Sequence, residues 1–348
     1  MIYKKTTVGH LNDKEIIAYN ISYDNGFEVE ILNLGGIITK IITPDKDNNL
    51  ENIVVGYKDI NGYIENPSYM GAIIGRTSGR IYNGKISIDN KEYRLSKNYG
   101  INQGHGGNVG FNKKIYDVNY IKNEDEFKLI FSCKSKDLEE NYPGNLDVEV
   151  TFEISRNFKI KQMYKATSDK KTLVNMTNHS YFNLSGNLKN PVTNQYMQIN
   201  SDFILELDTT SVPTGNYIDV NNTPFDFRKL KLIGRDIDKS HNQINIGCGY
   251  DHPFILNKGE IHLEDKISKR AMDIKTNQEC VVVYSMNFTD DLVLYNDKTN
   301  QRRFGICFET QAPPIGQNMC FLERSILEKD REYTQITEYK FYITEQII

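Results

Sequence analysis

Apolar and polar residues alternate one by one along much of this chain. In LDVEVTFEIS, residues 146–155, Leu146, Val148, Val150, Phe152 and Ile154 fall on one side, and Asp147, Glu149, Thr151 and Glu153 on the other. A period of two is that of a β-strand with one face buried. FEVEILNL alternates in the same way through Phe27, Val29 and Ile31. FKLIFSC, ECVVVYSMNF, RFGICFET and YTQITEYKFYI are further strand candidates, rich in β-branched and aromatic residues. Turn signals punctuate them: DNG at 24–26, PDKDNN at 44–49, YNG at 82–84 and YPGN at 142–145. Helical periodicity is scarce, and short helical turns are predicted only near 57–64 and 234–240. No linker, low-complexity block or repeat of fixed period interrupts the pattern. Many strands without a linker predict an all-β chain: one large antiparallel β-sandwich domain over 1–348, with long irregular loops and few short helices.

Charge narrows the possible partners. The net charge is −4 and the pI about 5.9, which argues against nucleic-acid binding, since that needs a basic patch. The start, MIYKKTTVGHLNDKE, has no apolar core of a secretory signal. No run reaches the roughly 18 apolar residues of a membrane span, so no membrane partner is expected. The five cysteines show no metal-ligand spacing, and a reduced cytoplasmic protein is expected.

Polar residues gather in a few places. NQGHGGNVGF (102–111) sets His105, one of six histidines, beside Gly104, Gly106 and Gly107. Glycines permit positive φ and close approach, so His105 is either a ligand contact or a polar turn residue. If 173–182 is extended, Asn175, Thr177, His179 and Tyr181 share one face, and Val174, Met176 and Phe182 the other. That polar face reads as the wall of a site or as a solvated sheet face. In RFGICFETQAPP, Gly305, Cys307 and Glu309 share a face; two small residues before a carboxylate suit a cleft floor, or Glu309 is simply exposed at a strand end. GYDHPFIL places Asp251 and His252 in or beside a turn. GAIIGRTSGRIYNG sets Arg76 and Arg80 among small residues, where a guanidinium is either a ligand fork or a solvated loop cation. GRTSGR lacks the spacing and the strand–helix setting of a phosphate loop. No metal-binding arrangement of histidines and no Gly-x-Ser-x-Gly elbow is found.

Taken in order, these segments resemble the aldose 1-epimerase (galactose mutarotase) family. The resemblance is carried by GRTSGRI (75–81), NQGHGGNVGFNKKIYDV (102–118), YPGNLDVEVTF (142–152), NHSYFNLSG (178–186), YDHPFIL (250–256) and FETQAPP (308–314), and it spans about residues 20–345. It implies a single large antiparallel sandwich that interconverts the α and β anomers of free hexoses such as galactose and glucose, with no cofactor and no metal. It assigns Glu309 as general base, His179 as general acid, and Arg80, His105 and Asp251 as sugar contacts. The expected partner is a small sugar, and the expected state a monomer or homodimer. Trp is absent and Tyr numbers 22, so the sugar must be held by Tyr, Phe and hydrogen bonds. The chain departs from the family pattern at Gly79, where Asn is common, at Val293, where some relatives have a sugar-contacting Gln, and in QAPPIGQN.

The implied chemistry has an ionised Glu309 taking the O1 proton while a protonated His179 gives one to the ring oxygen O5, with His105 and Arg80 adding positive charge nearby. Five consequences for geometry are expected. The five residues converge on one cleft. Glu309 and His179 face each other across the sugar without touching. Gly104, Gly106 and Gly107 let the His105 backbone approach the ligand, and Gly305 and Cys307 leave room beside Glu309. The fifth is that Val293 borders the site. Two alternatives stay open: an enzyme of another sugar, a hexose 6-phosphate (with Arg76, Lys113 and Lys114 as phosphate candidates) or a disaccharide, and a non-catalytic sugar-binding protein on the same fold. The presence of both Glu309 and His179 favours the enzyme.

Overall fold

The computed structural model describes residues 1–344; the domain predicted over 1–348 includes 345–348, which lie outside the described residues. Three antiparallel sheets dominate. The largest has nine strands, in the spatial order Asp117–Lys122, Glu126–Ser135, Leu146–Ser155, Lys159–Ser168, Glu332–Ile343, Arg270–Thr276, Glu260–Glu264, Tyr196–Ile199 and Lys231–Leu232. A five-stranded sheet runs in sequence order from Ile2–Leu11 to Leu50–Asn52. A six-stranded sheet has the order Tyr181–Phe182, Ile306–Gln311, Cys280–Tyr284, Asp251–Ile255, Phe203–Leu207 and Pro213–Asp219.

The alternation explains how they pack. Leu146, Val148, Val150, Phe152 and Ile154 are buried, while Asp147 and Glu149 are exposed. One contiguous core joins this face to Val29 and Ile31 of the five-stranded sheet and to Phe254, Val281, Val283, Ile306 and Phe308 of the six-stranded sheet. The six-stranded sheet therefore turns the intervening residues, Asp251, Val282, Tyr284, Cys307 and Glu309, to its other face.

Helices are few. The one predicted near 57–64 forms at Ile60–Glu65, where the Asp59 carboxylate accepts from the Asn61 and Gly62 amides. The one predicted near 234–240 is replaced by a 3₁₀ turn at Ile233–Arg235 and a helix at Asn242–Gly247. The later start has a local cause: the His241 ring caps the Gln243 amide. The 173–182 segment is not one strand. It pairs in turn with Ile326–Leu327, Ile73–Ile74 and Ile306–Cys307, and each change of partner breaks the run. All ten residues are buried, so its polar side is no solvated face.

Candidate active site

Register brings the outer face of the six-stranded sheet together. Asp251 lies opposite Tyr284, Tyr284 opposite Cys307, and Val282 opposite Glu309. His179 arrives between two of the short pairings described above. Its amide donates to the Ala72 carbonyl at 2.9 Å, and its carbonyl accepts from the Gly71 amide at 3.0 Å. Arg80 and His105 come from one local ladder, since Gly104 pairs with Arg80 and the His105 amide donates to the Gly79 carbonyl at 2.9 Å. All five predicted residues line a single cleft of about 220 Å³.

Within it, His179 Nε2 lies 3.5 Å from Glu309 Oε1, and His179 Nδ1 lies 3.5 Å from Cys307 Sγ. Arg80 Nη2 donates to Asp251 Oδ2 at 3.3 Å, and the Arg80 guanidinium sits 4.5 Å from the centre of the Tyr99 ring, a cation–π contact. The Tyr69 ring packs 4.8 Å from that of His105. Three buried polar atoms here have no partner: Arg80 Nε, His105 Nδ1 and Glu309 Oε2. Burial of unpaired polar atoms is costly, and their gathering in one cleft marks a place where a polar ligand completes the bonding.

Desolvation sets the charges. Burial, reinforced by Asp251 and opposed by Arg80, pushes the Glu309 carboxyl up to about 8. Burial brings His179 down to about 4, its own carbonyl opposing and Arg80 assisting. His105 falls well below its ordinary value through burial, then through His179 and Arg80. Burial pulls Arg80 down, but Asp251, Tyr99 and Glu309 together outweigh it and the net direction is up. Desolvation therefore favours the protonated Glu309 carboxyl and the neutral imidazoles in the ligand-free cleft. The arrangement can pass one proton between a carboxyl and an imidazole and offer both to neighbouring atoms of one ligand.

Several expectations need correction. Glu309 and His179 touch instead of facing each other across open space, because the His179 backbone is tied to 71–72 beside the Glu309 strand. In the ligand-free cleft, desolvation favours the neutral forms of Glu309, His179 and His105, so the expected ionised Glu309 and protonated His179 belong to the ligand-bound form. Gly305 makes no room for a ligand: a Cβ there would lie 2.8 Å from Tyr181 Cβ. Gly106, at φ +86°, makes room for protein, since a Cβ would lie 1.9 Å from the Gly75 carbonyl oxygen. Val293 is 46% exposed and does not border the cleft, whose wall in that region is Phe288, Thr289 and Asp290.

The phosphate candidates also lie elsewhere. Arg76 is buried and spends its donors on the carbonyls of Ser135, Lys136, Pro143 and Gly144 and the hydroxyls of Ser135 and Thr172. Lys113 donates to the Ile64 and Glu65 carbonyls and Lys114 to Glu139. Among the described residues, Arg80 is the one Lys or Arg in the cleft wall. Sequence reasoning passed over Tyr69, Tyr99, Tyr284 and Phe288 as walls. Abundant Tyr was the only hint, and nothing local distinguishes these four from the rest.

An all-β sandwich whose sheet face presents a paired carboxyl and imidazole in a small polar cleft is the framework of an acid–base enzyme. The chain belongs to the aldose 1-epimerase family, whose model matches residues 18–340, and it is an isomerase that interconverts sugar anomers. It is 34% identical over 322 residues to human galactose mutarotase, covering 90% of this chain and 91% of that one. It is 32% identical over 325 residues to aldose 1-epimerase of Haemophilus influenzae, covering 91% and 93%. The crystal structure of galactose 1-epimerase from Lactobacillus acidophilus superposes with a TM-score of 0.89 at 27% identity, over 99% of both chains. Among the described residues no helix is long and apolar enough to cross a membrane.

Proposed function

We propose that the cleft opens and recloses the ring of a free hexose, galactose or glucose, with Glu309 and His179 as the proton-transfer pair. The observation that carries this is their 3.5 Å contact. O1 and O5 are both bonded to C1, so the base for one and the acid for the other must be near neighbours and touch the same edge of the ring. A gap of 3.5 Å is longer than a working hydrogen bond of roughly 2.6–3.2 Å, as is common before a ligand binds.

The pair carries one proton in two forms. With Glu309 ionised and His179 protonated, Glu309 takes the O1 proton as His179 gives one to O5; the C1–O5 bond breaks and C1 becomes the aldehyde carbon. That leaves Glu309 protonated and His179 neutral, the form the ligand-free cleft already favours. After rotation about C1–C2, the O5 proton returns to His179 and Glu309 reprotonates O1 on the other face. Binding must shift the proton from Glu309 to His179, and sugar hydroxyls donating to the unpartnered Glu309 Oε2 favour that shift. Arg80 and His105 hold the oxygens near C1. Asp251, oriented by Arg80, accepts from hydroxyls further round the ring. The five cysteines are free thiols, which supports a cytoplasmic location.

Polarimetry tests this reading. Freshly dissolved α-galactose or α-glucose should reach its equilibrium rotation faster with the protein, in proportion to its concentration. No acceleration with either sugar would overturn it.

A further inference from the structure

The cleft floor has a second chemical capacity. One ring nitrogen from each of His105 and His179 and one carboxyl oxygen of Glu309 all lie within 4.8 Å of one another. The His179 Nε2–Glu309 Oε1 separation is 3.5 Å. Donors around a tetrahedral Zn²⁺, at metal–ligand lengths of about 2.0–2.1 Å, sit about 3.3–3.4 Å apart. That pair already has the required bite, and the third donor, on His105, lies within 4.8 Å of both. His105 Nδ1 and Glu309 Oε2 are shut away from solvent without partners, so the cluster has unspent bonding capacity.

We propose that His105, His179 and Glu309 form an inhibitory site for a divalent transition-metal ion of the Zn²⁺ type, which excludes the sugar from the cleft. Two imidazoles and one carboxylate suit Zn²⁺ and its neighbours in the first row and do not suit Mg²⁺ or Ca²⁺, which take oxygen ligands. Three protein ligands leave a fourth position open to the cleft. The far side of the His179 ring is also held in place, with Nδ1 facing Cys307 Sγ at 3.5 Å. Arg80, the cation that would repel an incoming ion, is paired with Asp251 at 3.3 Å, so much of its charge is compensated. The ion is an inhibitor and takes no part in turnover. Its competition with sugar rests on the reading of this cleft as the sugar site.

Calorimetric titration of ZnCl₂ into the protein tests the site, with the Co²⁺ visible spectrum as a measure of tetrahedral geometry. One Zn²⁺ per chain is expected. Affinity should fall about tenfold or more in His105→Asn and in Glu309→Gln. On the unsubstituted protein, saturating galactose should raise the apparent Kd for Zn²⁺. Zn²⁺ should raise the apparent KM in polarimetry, and a chelator should restore the full rate without ever lowering it. No binding up to on the order of 1 mM, binding that survives both substitutions, or binding indifferent to galactose would each overturn the proposal. The competition arm needs no variant, so a misfolded substitution leaves it decisive. If Zn²⁺ binds as described but chelated Glu309→Gln turns sugar over normally, the metal site stands and the catalytic reading falls.

Discussion

His179 Nε2 and Glu309 Oε1 stand 3.5 Å apart with their side chains 5% and 3% exposed. At that distance and burial they act as one titrating unit, and under the proposed mechanism that unit is competent for anomer exchange when it holds one proton. A second proton, added as His179 titrates at about 4, removes the base. Loss of the only proton, as Glu309 titrates at about 8, removes the acid.

The pH profile follows from this. After subtraction of the spontaneous rate, kcat/KM should be level between about pH 4 and pH 8 and should fall on both sides. The ionised-Glu, protonated-His form has the same proton count as its tautomer, so both limbs belong to the pair and not to one residue. An alkaline fall centred below pH 7, where an ordinary imidazole titrates, would contradict the raised Glu309.

Stability should carry the same signature with a defined sign. The folded protein keeps the Glu309 proton up to about pH 8, whereas the unfolded chain releases it at the ordinary value of 4.5. Folding stability attributable to this group is full below 4.5 and declines as pH rises towards 8. Glu309→Gln has no proton to lose, so its Tm should gain on that of the unsubstituted protein across this interval. A constant Tm difference from pH 4.5 to 8 would show that Glu309 titrates normally in the fold.

Cys307 should matter through His179. Its Sγ faces His179 Nδ1 at 3.5 Å, and the residue is fully buried. Cys307→Ala should lower kcat roughly tenfold, part of the 10²–10⁴ that a positioned acid–base group contributes, with little change in KM and a displaced acid limb. Cys307→Ser should recover much of the rate. Equal losses in both variants, with an unmoved pH profile, would reduce Cys307 to packing.

One departure from the family pattern, Gly79, packs against Pro314. Gly79 has φ +69°, and a Cβ there would lie 2.8 Å from Pro314 Cγ and 2.9 Å from Pro314 Cβ. Asn tolerates such a φ, but its Cβ would force Pro314 to shift. Gly79→Asn should destabilise by roughly 1–3 kcal/mol, as overpacking does. Adding Pro314→Gly should relieve part of that loss, with a coupling of roughly 0.5–3 kcal/mol in a denaturation cycle. Strict additivity would separate the two sites.

The sandwich was legible because its strands bury one face, and single-face burial writes itself as a period of two. Glu309 and Cys307 could be placed on one face from RFGICFET for that reason. Their partners could not. His179 is positioned by three successive pairings that no local pattern encodes, and the Arg80–His105 ladder joins segments separated by turns. Proton location is not legible in the sequence, because charge follows desolvation, a property of the assembled cleft. Val293 was misplaced because the 287–300 stretch is mostly irregular and has no periodicity to fix its register.

Polarimetry of freshly dissolved α-galactose with Glu309→Gln, checked for folding and compared with the unsubstituted protein at equal concentration, tests the central claim most directly. The amide keeps the shape of the side chain and can neither accept the O1 proton nor share one with His179. The catalysed rate should fall by about 10²-fold or more, the loss expected of a positioned acid–base group, while galactose binding measured by calorimetry persists. Retention of more than about a tenth of the rate, less loss than such a group normally causes, would contradict the assignment of Glu309 and the proton-sharing pair with it.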